Sequence, residues 1–212
     1  KLAGFSIILT IVFGVGSGVL MAVKKDRLLD HVLGTFSTVA LSVPGFWIAI
    51  VLIFIFAEQW KILPSSGISD GSGFILPAIT LALPSIGVCA RLTRSAILDE
   101  IGRQYMTVAD AKGMSRRRAV IRHAFGNALI PIITYLGNHM AGISGGASIV
   151  ETIFAIPGIG SYAIAGVQSK DYYVVQAYVL FSGCIYVLTN ILIDLIYIAL
   201  DPKIRAGEAV ES

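Results

Sequence analysis

Charged residues and the signatures of soluble enzymes are scarce in this sequence of 212 residues. Only 14% of the residues are Asp, Glu, Lys or Arg, whereas soluble domains carry roughly 25%. The two cysteines, Cys89 and Cys184, have no CxxC spacing, which argues against a disulfide framework or a thiolate metal site. The three histidines lie on separate segments, so no catalytic constellation is visible. No GxxxxGK[ST] motif occurs either, which argues against a P-loop for ATP.

Apolar residues make up 56% of the chain and are concentrated in five runs with almost no charge. A helix needs about 20 such residues to cross the hydrocarbon core of a membrane. We therefore expect an all-α integral membrane protein, built as a polytopic helical bundle. The five predicted spans are Leu2–Val23, Val32–Ala57, Phe74–Ala90, Ala124–Val150 and Tyr172–Ile193.

Two of these spans contain residues that predict local departures from a plain helix. The first holds Gly14, Gly16 and Gly18, which are typical of close helix packing in membranes. The second contains Ser42-Val43-Pro44-Gly45, which should kink or interrupt it near the middle. The interruption either is a plain packing kink or lies beside a cavity.

Basic residues fix the predicted orientation of the spans. Thirteen of the sixteen Lys and Arg residues lie in the segments after the first, third and fifth spans, and eight of them fall between Arg91 and Arg122. Because cytoplasmic loops carry the excess of Lys and Arg, these segments and the C-terminus are predicted to be cytoplasmic. Residue 1 then lies outside and is Lys, so we expect an upstream helix. The net charge of +3 reflects these loops, and no nucleic-acid partner is expected.

The basic segment 91–126 is the long loop of the chain. Gln104–Lys112 favours a helix, Gly113 is suited to end it, and Ser115 can cap a second helix that begins at Arg116. Two short helices joined at a glycine could seat in a groove of a partner protein. The alternative is a solvated basic loop that contacts anionic lipid.

A family resemblance rests first on this loop. The segment TVADAKGMSRRRAVIRHAFGNALIPIIT resembles the cytoplasmic coupling loop of ABC-importer permeases, in the form found in the dipeptide, oligopeptide and nickel group. The chain departs from that group's pattern at Val108 and Asp110. ARLTRSAILDE, GGASIVETIFAIPGIGSYAIAGVQSKDYYVVQ and NILIDLIYIALDPKIR resemble the same group, so the resemblance covers residues 1–212 as one permease domain. The residues that match the loop pattern are Ala109, Ala111, Lys112, Gly113, His123, Asn127 and Pro131.

The resemblance implies an ATP-driven importer in the cytoplasmic (inner) membrane of a prokaryote. It implies a second homologous permease, two separate ATPase subunits that bind ATP and Mg, and an extracytoplasmic substrate-binding protein that delivers cargo over the re-entrant or interfacial segment 151–171. This chain would be no enzyme itself. It also implies six core helices, which agrees with the expected upstream helix. The residues expected to couple to the ATPase subunits are Ala109, Asp110, Ala111, Lys112, Gly113 and Arg116.

Polar residues inside the spans are the candidates for contact with cargo, because burying them in lipid is costly. His139 lies mid-span beside Met140, where nickel-type relatives often carry His and peptide-type relatives usually carry Gln. Since a neutral imidazole is a good ligand for nickel, the sequence favours nickel or a metal chelate over peptides. Pro44 and Trp47 are further pathway candidates. On the last span, Asn190 and Asp194 are predicted to serve a structural hydrogen bond between helices.

Two other function classes compete with this prediction. An ATP-independent secondary transporter or channel would use buried charges along its pathway, and only Asp194 qualifies. A membrane enzyme would need a nucleophile with a base or a metal constellation. His31, His123 and His139 lie on different segments, which argues against both arrangements.

Overall fold

The computed structural model describes residues 1–68, 71–103, 124–144 and 147–200. Within these ranges the chain is helical, and the all-α prediction is confirmed. A π-helical stretch at Thr10–Val15 widens the first helix, and another ends the third at Ile53–Gln59. The helices are α1 (Leu2–Val23), α2 (Leu28–Ser42), α3 (Gly45–Gln59), α4 (Ile75–Ile101), α5 (Phe125–Ser144), α6 (Ser148–Ile153), α7 (Ile159–Gln168) and α8 (Tyr172–Leu200).

Helix α4 forms the centre of the bundle. It packs against α1, α2, α3, α5 and α6, and 56% of its most apolar stretch is buried. One apolar cluster around Ile97 joins its C-terminal part to α1 and α5, and another around Leu76 joins its N-terminal part to α3 and α6. Helix α8 packs on α5 and α7, and only 6% of its apolar stretch is buried. The single chain thus leaves α8 open along most of its length.

The length and composition of the described helices indicate which of them could cross a membrane. Three described helices are long and apolar enough to cross a membrane, namely α1, α4 with its short lead-in at Gly71–Phe74, and α8 to Ile196. The bent pair α2 and α3 makes a fourth if it counts as one span. Helix α5 has 20 residues but is not among them, since Asn127, Asn138 and His139 lower its hydropathy.

The interruption predicted at Ser42-Val43-Pro44-Gly45 is confirmed and is larger than a kink. Helices α2 and α3 meet at an angle of 102°. Val43 and Pro44 adopt extended backbone, as a residue before proline prefers. The Pro44 carbonyl then accepts the amide N–H groups of Trp47 and Ile48 at 3.0 and 3.1 Å, which starts α3. The pair forms either a broken span or a re-entrant loop.

Helix α4 also continues beyond the predicted third span. It passes Ala90 and ends at Ile101, so the first part of the segment 91–126 is helical and extends the span. Pro84 lies inside the helix and removes one backbone donor there. The part of α4 after Ala90 contains Arg91, Arg94 and Glu100.

The predicted close packing at the first-span glycines is confirmed for two of them. A Cβ atom on Gly18 would lie 2.5 Å from the Thr93 Cβ and 2.6 Å from the Ala90 carbonyl oxygen. Gly14 likewise meets Cys89, with 2.8 Å to its Cβ. The four-residue spacing of Gly14 and Gly18 lets the backbones of α1 and α4 approach closely. Gly16 has nothing within 4 Å of such a Cβ.

Gly18→Ala should therefore destabilise the protein by about 1–3 kcal/mol, as overpacking usually does. Gly16→Ala is the matched control, because it carries the same gain in helix propensity without the overlap. Thermal unfolding of the purified permease in detergent measures both. Equal melting temperatures for the two variants would contradict the close contact between α1 and α4.

Candidate functional site

His139 joins a small polar cluster between α4 and α5. Its Nδ1 lies 3.3 Å from the Ser85 hydroxyl oxygen, and its ring stacks parallel to that of Tyr135 with centroids 6.0 Å apart. The Tyr135 hydroxyl donates to the Ser85 carbonyl oxygen at 3.2 Å. His139 Nε2 is buried without a hydrogen-bond partner in the described chain. Ser85 thus forms a polar position on the part of α4 that faces His139 and Tyr135.

The predicted metal role of His139 has little support from its neighbours. Within the described residues, no three His, Cys, Asp or Glu side chains come together in a way that could hold a metal ion. His139 is thus a single imidazole ligand, and its side-chain partners are a hydroxyl and a phenol. The role in metal contact stays a prediction.

The other predicted pathway residues lie on outward-facing positions of the single chain. Trp47 is 53% exposed and Met140 is 46% exposed, and Pro44 is exposed at the break between α2 and α3. These side chains do not converge on an enclosed channel within this chain. A pathway that includes them needs a second surface to close it.

The predicted interhelical hydrogen bond of α8 is not observed in the described structure. The Asn190 side-chain amide instead donates to the Tyr186 carbonyl oxygen of its own helix at 2.9 Å. Asp194 is exposed. The interhelical bond therefore stays a prediction.

The residues expected to couple to an ATPase fall outside the described residues, but both flanks of their segment are visible. Glu100 near the end of α4 accepts a hydrogen bond from the Asn127 side-chain amide of α5 at 3.2 Å. Its other carboxylate oxygen pairs with Arg103 Nε at 2.9 Å. Glu100 is only 9% exposed. The two ends of the segment 104–123 are therefore tied to each other through one carboxylate.

A second ion pair, which the sequence did not reveal, joins α2 to α4. Asp30 accepts Arg94 Nε at 2.7 Å and a second guanidinium nitrogen at 2.8 Å, a two-pronged geometry that is strong for this pair. Asp30 is 4% exposed and also accepts the backbone N–H of Asp26 at 3.0 Å. The carboxylate thereby fixes the tight turn between α1 and α2.

Glu151 organises the segment 151–171. Its carboxylate accepts the backbone N–H groups of Ala147 at 3.2 Å and Ser161 at 2.8 Å, and it is 7% exposed. Ser161 lies in the first turn of α7, where backbone donors lack helical partners, so Glu151 caps that helix from α6. Gly158 lies directly against the carboxylate and leaves no room for a Cβ atom. The glycines of PGIG therefore serve packing here.

The residues that sequence reasoning missed share one signal. Asp30, Glu100 and Glu151 are acidic residues at the edges of apolar runs, and each is buried with a partner. A buried charge must be paired, but the sequence shows neither that these residues are buried nor which residues pair with them. Ser85 and Tyr135 carried no such signal.

Comparison with known protein families identifies the family to which the chain belongs. Residues 14–206 match the family described as "Binding-protein-dependent transport system inner membrane component". The chain belongs to this family. The resemblance to permease subunits of the dipeptide, oligopeptide and nickel group of ABC importers is thereby confirmed at the level of the family.

Several relatives match nearly the whole chain. A probable peptide ABC transporter permease protein (y4tP) of Sinorhizobium fredii is 38% identical over 97% of this chain and 68% of its own length. The dipeptide transport system permease protein DppB of Bacillus subtilis and the glutathione transport system permease protein GsiC of Escherichia coli K12 are each 34% identical over 94% of this chain and 65% of their own length. The chain thus spans about two thirds of these permeases.

The fold is that of a solved permease as well. A structure titled "Inward facing conformations of the MetNI methionine ABC transporter" aligns with a TM-score of 0.76 over 94% of this chain and 91% of the matched chain. A second crystal form gives a TM-score of 0.77. At 17% and 16% identity these matches establish the fold alone.

The Glu151 geometry predicts how the segment 151–171 behaves when the carboxylate is replaced. Glu151→Gln places an amide NH₂ against one of the two backbone donors, which should cost about 1–3 kcal/mol. Hydrogen exchange at the amides of Ala147 and Ser161 should accelerate. Glu58→Gln is the control, because it makes the same change at an exposed carboxylate. Unchanged exchange in Glu151→Gln would contradict the capping role.

Proposed function

We propose that this chain is one of two permease subunits of an ATP-driven importer of small peptides. The observation that carries the proposal is the match over at least 94% of this chain to permeases named for peptide, dipeptide and glutathione transport. The importer lies in the cytoplasmic membrane of a prokaryote, with the segment 104–123 and the C-terminus on the cytoplasmic side. Thirteen of sixteen basic residues support that orientation.

The open surfaces of the chain support a second permease subunit. Helix α8 is almost wholly uncovered, and Trp47 and Met140 face outward. A homologous subunit facing these surfaces would enclose a pathway between the two chains. Two ATP-binding subunits would supply the energy with ATP and Mg, and an extracytoplasmic binding protein would deliver the peptide near α6 and α7. This chain contributes no ATPase site of its own.

The segment 104–123 would transmit the movement of the ATPase subunits, chiefly through Ala109, Asp110, Ala111, Lys112, Gly113 and Arg116. ATP must bind one conformation more tightly than another, and a rigid link must carry that preference into the membrane. The bond between Glu100 and Asn127 supports such a link, since it ties the helices on both sides of the segment. If α4 and α5 were not joined at this point, the movement of the segment 104–123 would not be transmitted to both helices.

Glu100→Gln should therefore uncouple transport from hydrolysis. The substitution removes the carboxylate charge that strengthens the hydrogen bond to Asn127. It also removes the ion pair with Arg103, which contributes little because Arg103 is exposed. We expect the number of peptides imported per ATP to fall about five- to tenfold, the size of a coupling loss of 1–1.4 kcal/mol. Asp99→Asn is the matched control, because Asp99 is the exposed neighbour. Normal coupling in Glu100→Gln, measured in proteoliposomes, would contradict the role.

The choice of cargo favours peptides over nickel. Nickel binding prefers several imidazole or other nitrogen donors in a defined geometry. His139 offers a single imidazole, whose Nδ1 lies near Ser85, and among the described residues no group of three metal-binding side chains includes it. A peptide needs only hydrogen-bonding groups along the pathway, which Ser85, Tyr135 and His139 can supply.

Uptake by the reconstituted importer tests the function and the cargo together. The complete complex with its binding protein should take up a labelled dipeptide only when ATP is supplied. His139→Gln should retain peptide uptake within about twofold, because Gln can still bond Ser85. ATP-dependent nickel uptake that His139→Gln abolishes would overturn the peptide proposal. Peptide uptake that needs no ATP would instead favour a secondary transporter.

A further inference from the structure

A basic groove runs between α1, α2 and α4 at the end of the bundle that the charges predict to be cytoplasmic. Its volume is about 400 Å³, and it is open to the surface, since His31, Thr35, Thr38 and Arg91 are all exposed. The side chains that give the groove its chemistry are Asp30, His31, Thr35, Thr38, Arg91 and Arg94.

The charges in the groove do not cancel. Asp30 is the acidic residue that lines it, and both of its oxygens are engaged by Arg94. Arg91 lies one helical turn before Arg94 on the same side of α4. In the described structure its guanidinium has no hydrogen bond or ion pair. One guanidinium in the groove is therefore neutralised and the other is available to an anion.

The polar and apolar side chains of α2 indicate that the groove does not face lipid. His31, Thr35, Thr38 and Ser42 follow one another at helical spacing and form a polar stripe of exposed side chains. An adjacent stripe is apolar and also exposed, with Val32, Phe36 and Val39 at 56%, 52% and 55%. Lipid-exposed positions favour the apolar stripe. The polar stripe therefore lies toward water or another polar surface.

The polar stripe extends from the groove to the break at Pro44. Ser42 follows His31 by eleven positions, which is about 16 Å along a helix or roughly half of a hydrocarbon core. The Thr38 and Ser42 hydroxyls donate to carbonyl oxygens of their own helix at 3.0 and 2.9 Å and keep lone pairs free as acceptors. The stripe offers a passing peptide a series of polar contacts that leads to Arg91.

We propose that this groove lies on the cargo pathway and that Arg91 pairs with the terminal carboxylate of the peptide as it leaves the membrane. A guanidinium matches a carboxylate with two parallel hydrogen bonds. A divalent metal cation would instead be repelled, because Asp30 has no free charge to offer. This inference rests on the proposed function and specifies its cargo as carboxylate-bearing.

The test compares a labelled dipeptide with its C-terminal amide in proteoliposomes that contain the complete importer. Rates are measured at saturating, fully loaded binding protein for the wild type, Arg91→Gln and Arg91→Lys. The ratio of acid to amide uptake should fall about tenfold in Arg91→Gln and less in Arg91→Lys, an effect of the size expected for loss of one charge-assisted pair. Because the same binding protein serves every variant, its own preference cancels from the comparison.

Lys24→Gln is the matched control, since it removes an exposed positive charge from the neighbouring turn but leaves the groove lining intact. Its acid-to-amide ratio should equal that of the wild type. An unchanged ratio in Arg91→Gln would overturn the inference alone. If, in addition, uptake by Arg91→Gln no longer depended on phosphatidylglycerol, Arg91 would be assigned to a lipid headgroup instead. Absence of ATP-driven peptide uptake by the wild type would overturn the proposed function as well.

A cargo-independent measurement accompanies the uptake test. Thr35→Cys, in a chain whose Cys89 and Cys184 are replaced by Ser, should react faster with an anionic than with a cationic methanethiosulfonate. Adding Arg91→Gln should lower the ratio of these rates about tenfold, and a saturating dipeptide should slow the labelling more than its amide does. Equal rates for the two reagents, or equal protection by acid and amide, would contradict the proposed site.

Discussion

The central helix α4 is held by three polar contacts at different heights, and the rest of the bundle depends on them. Ser85 meets His139 of α5, Arg94 meets Asp30 of α2, and Glu100 meets Asn127 of α5. Apolar packing inside a bilayer is weakly directional, because lipid tails are as apolar as the side chains they contact. Polar contacts in a low-dielectric interior add direction and register, since leaving any of these groups unpaired is costly. They therefore fix how α2, α4 and α5 lie relative to one another.

This arrangement constrains how the permease can move. Glu100 and Asp30 are each no more than 9% exposed, so separating either from its partner would leave a buried charge uncompensated. Rigid movement of α2, α4 and α5 as one unit avoids that cost. The glycine contact of α1 at Gly18 adds α1 to the same unit through backbone packing. The surface that remains to shift is the sparsely covered one of α8.

Features that depend on residues close together in the sequence could be predicted, whereas contacts between distant residues could not. The break at Pro44 and the small contact face at Gly14 and Gly18 depend on local geometry, and both were predictable. The pairing of Asp30 with Arg94 joins residues 64 positions apart, and no local pattern specifies which of several arginines is used. For Asn190 the structure shows a local bond to Tyr186 of the same helix.

The same distinction bears on the cargo. His139 drew attention as a metal ligand because of its residue type, yet a metal site requires several ligands that converge in space, and only the fold shows that its partners are Ser85 and Tyr135. Arg91 drew attention only as one charge among eight in a basic stretch. The fold separates it from the others: Arg94 is neutralised by Asp30, and Arg91 remains available beside a polar stripe. A positive groove attracts carboxylates and repels metal cations, so the electrostatics of α4 and the chemistry of His139 both favour peptides.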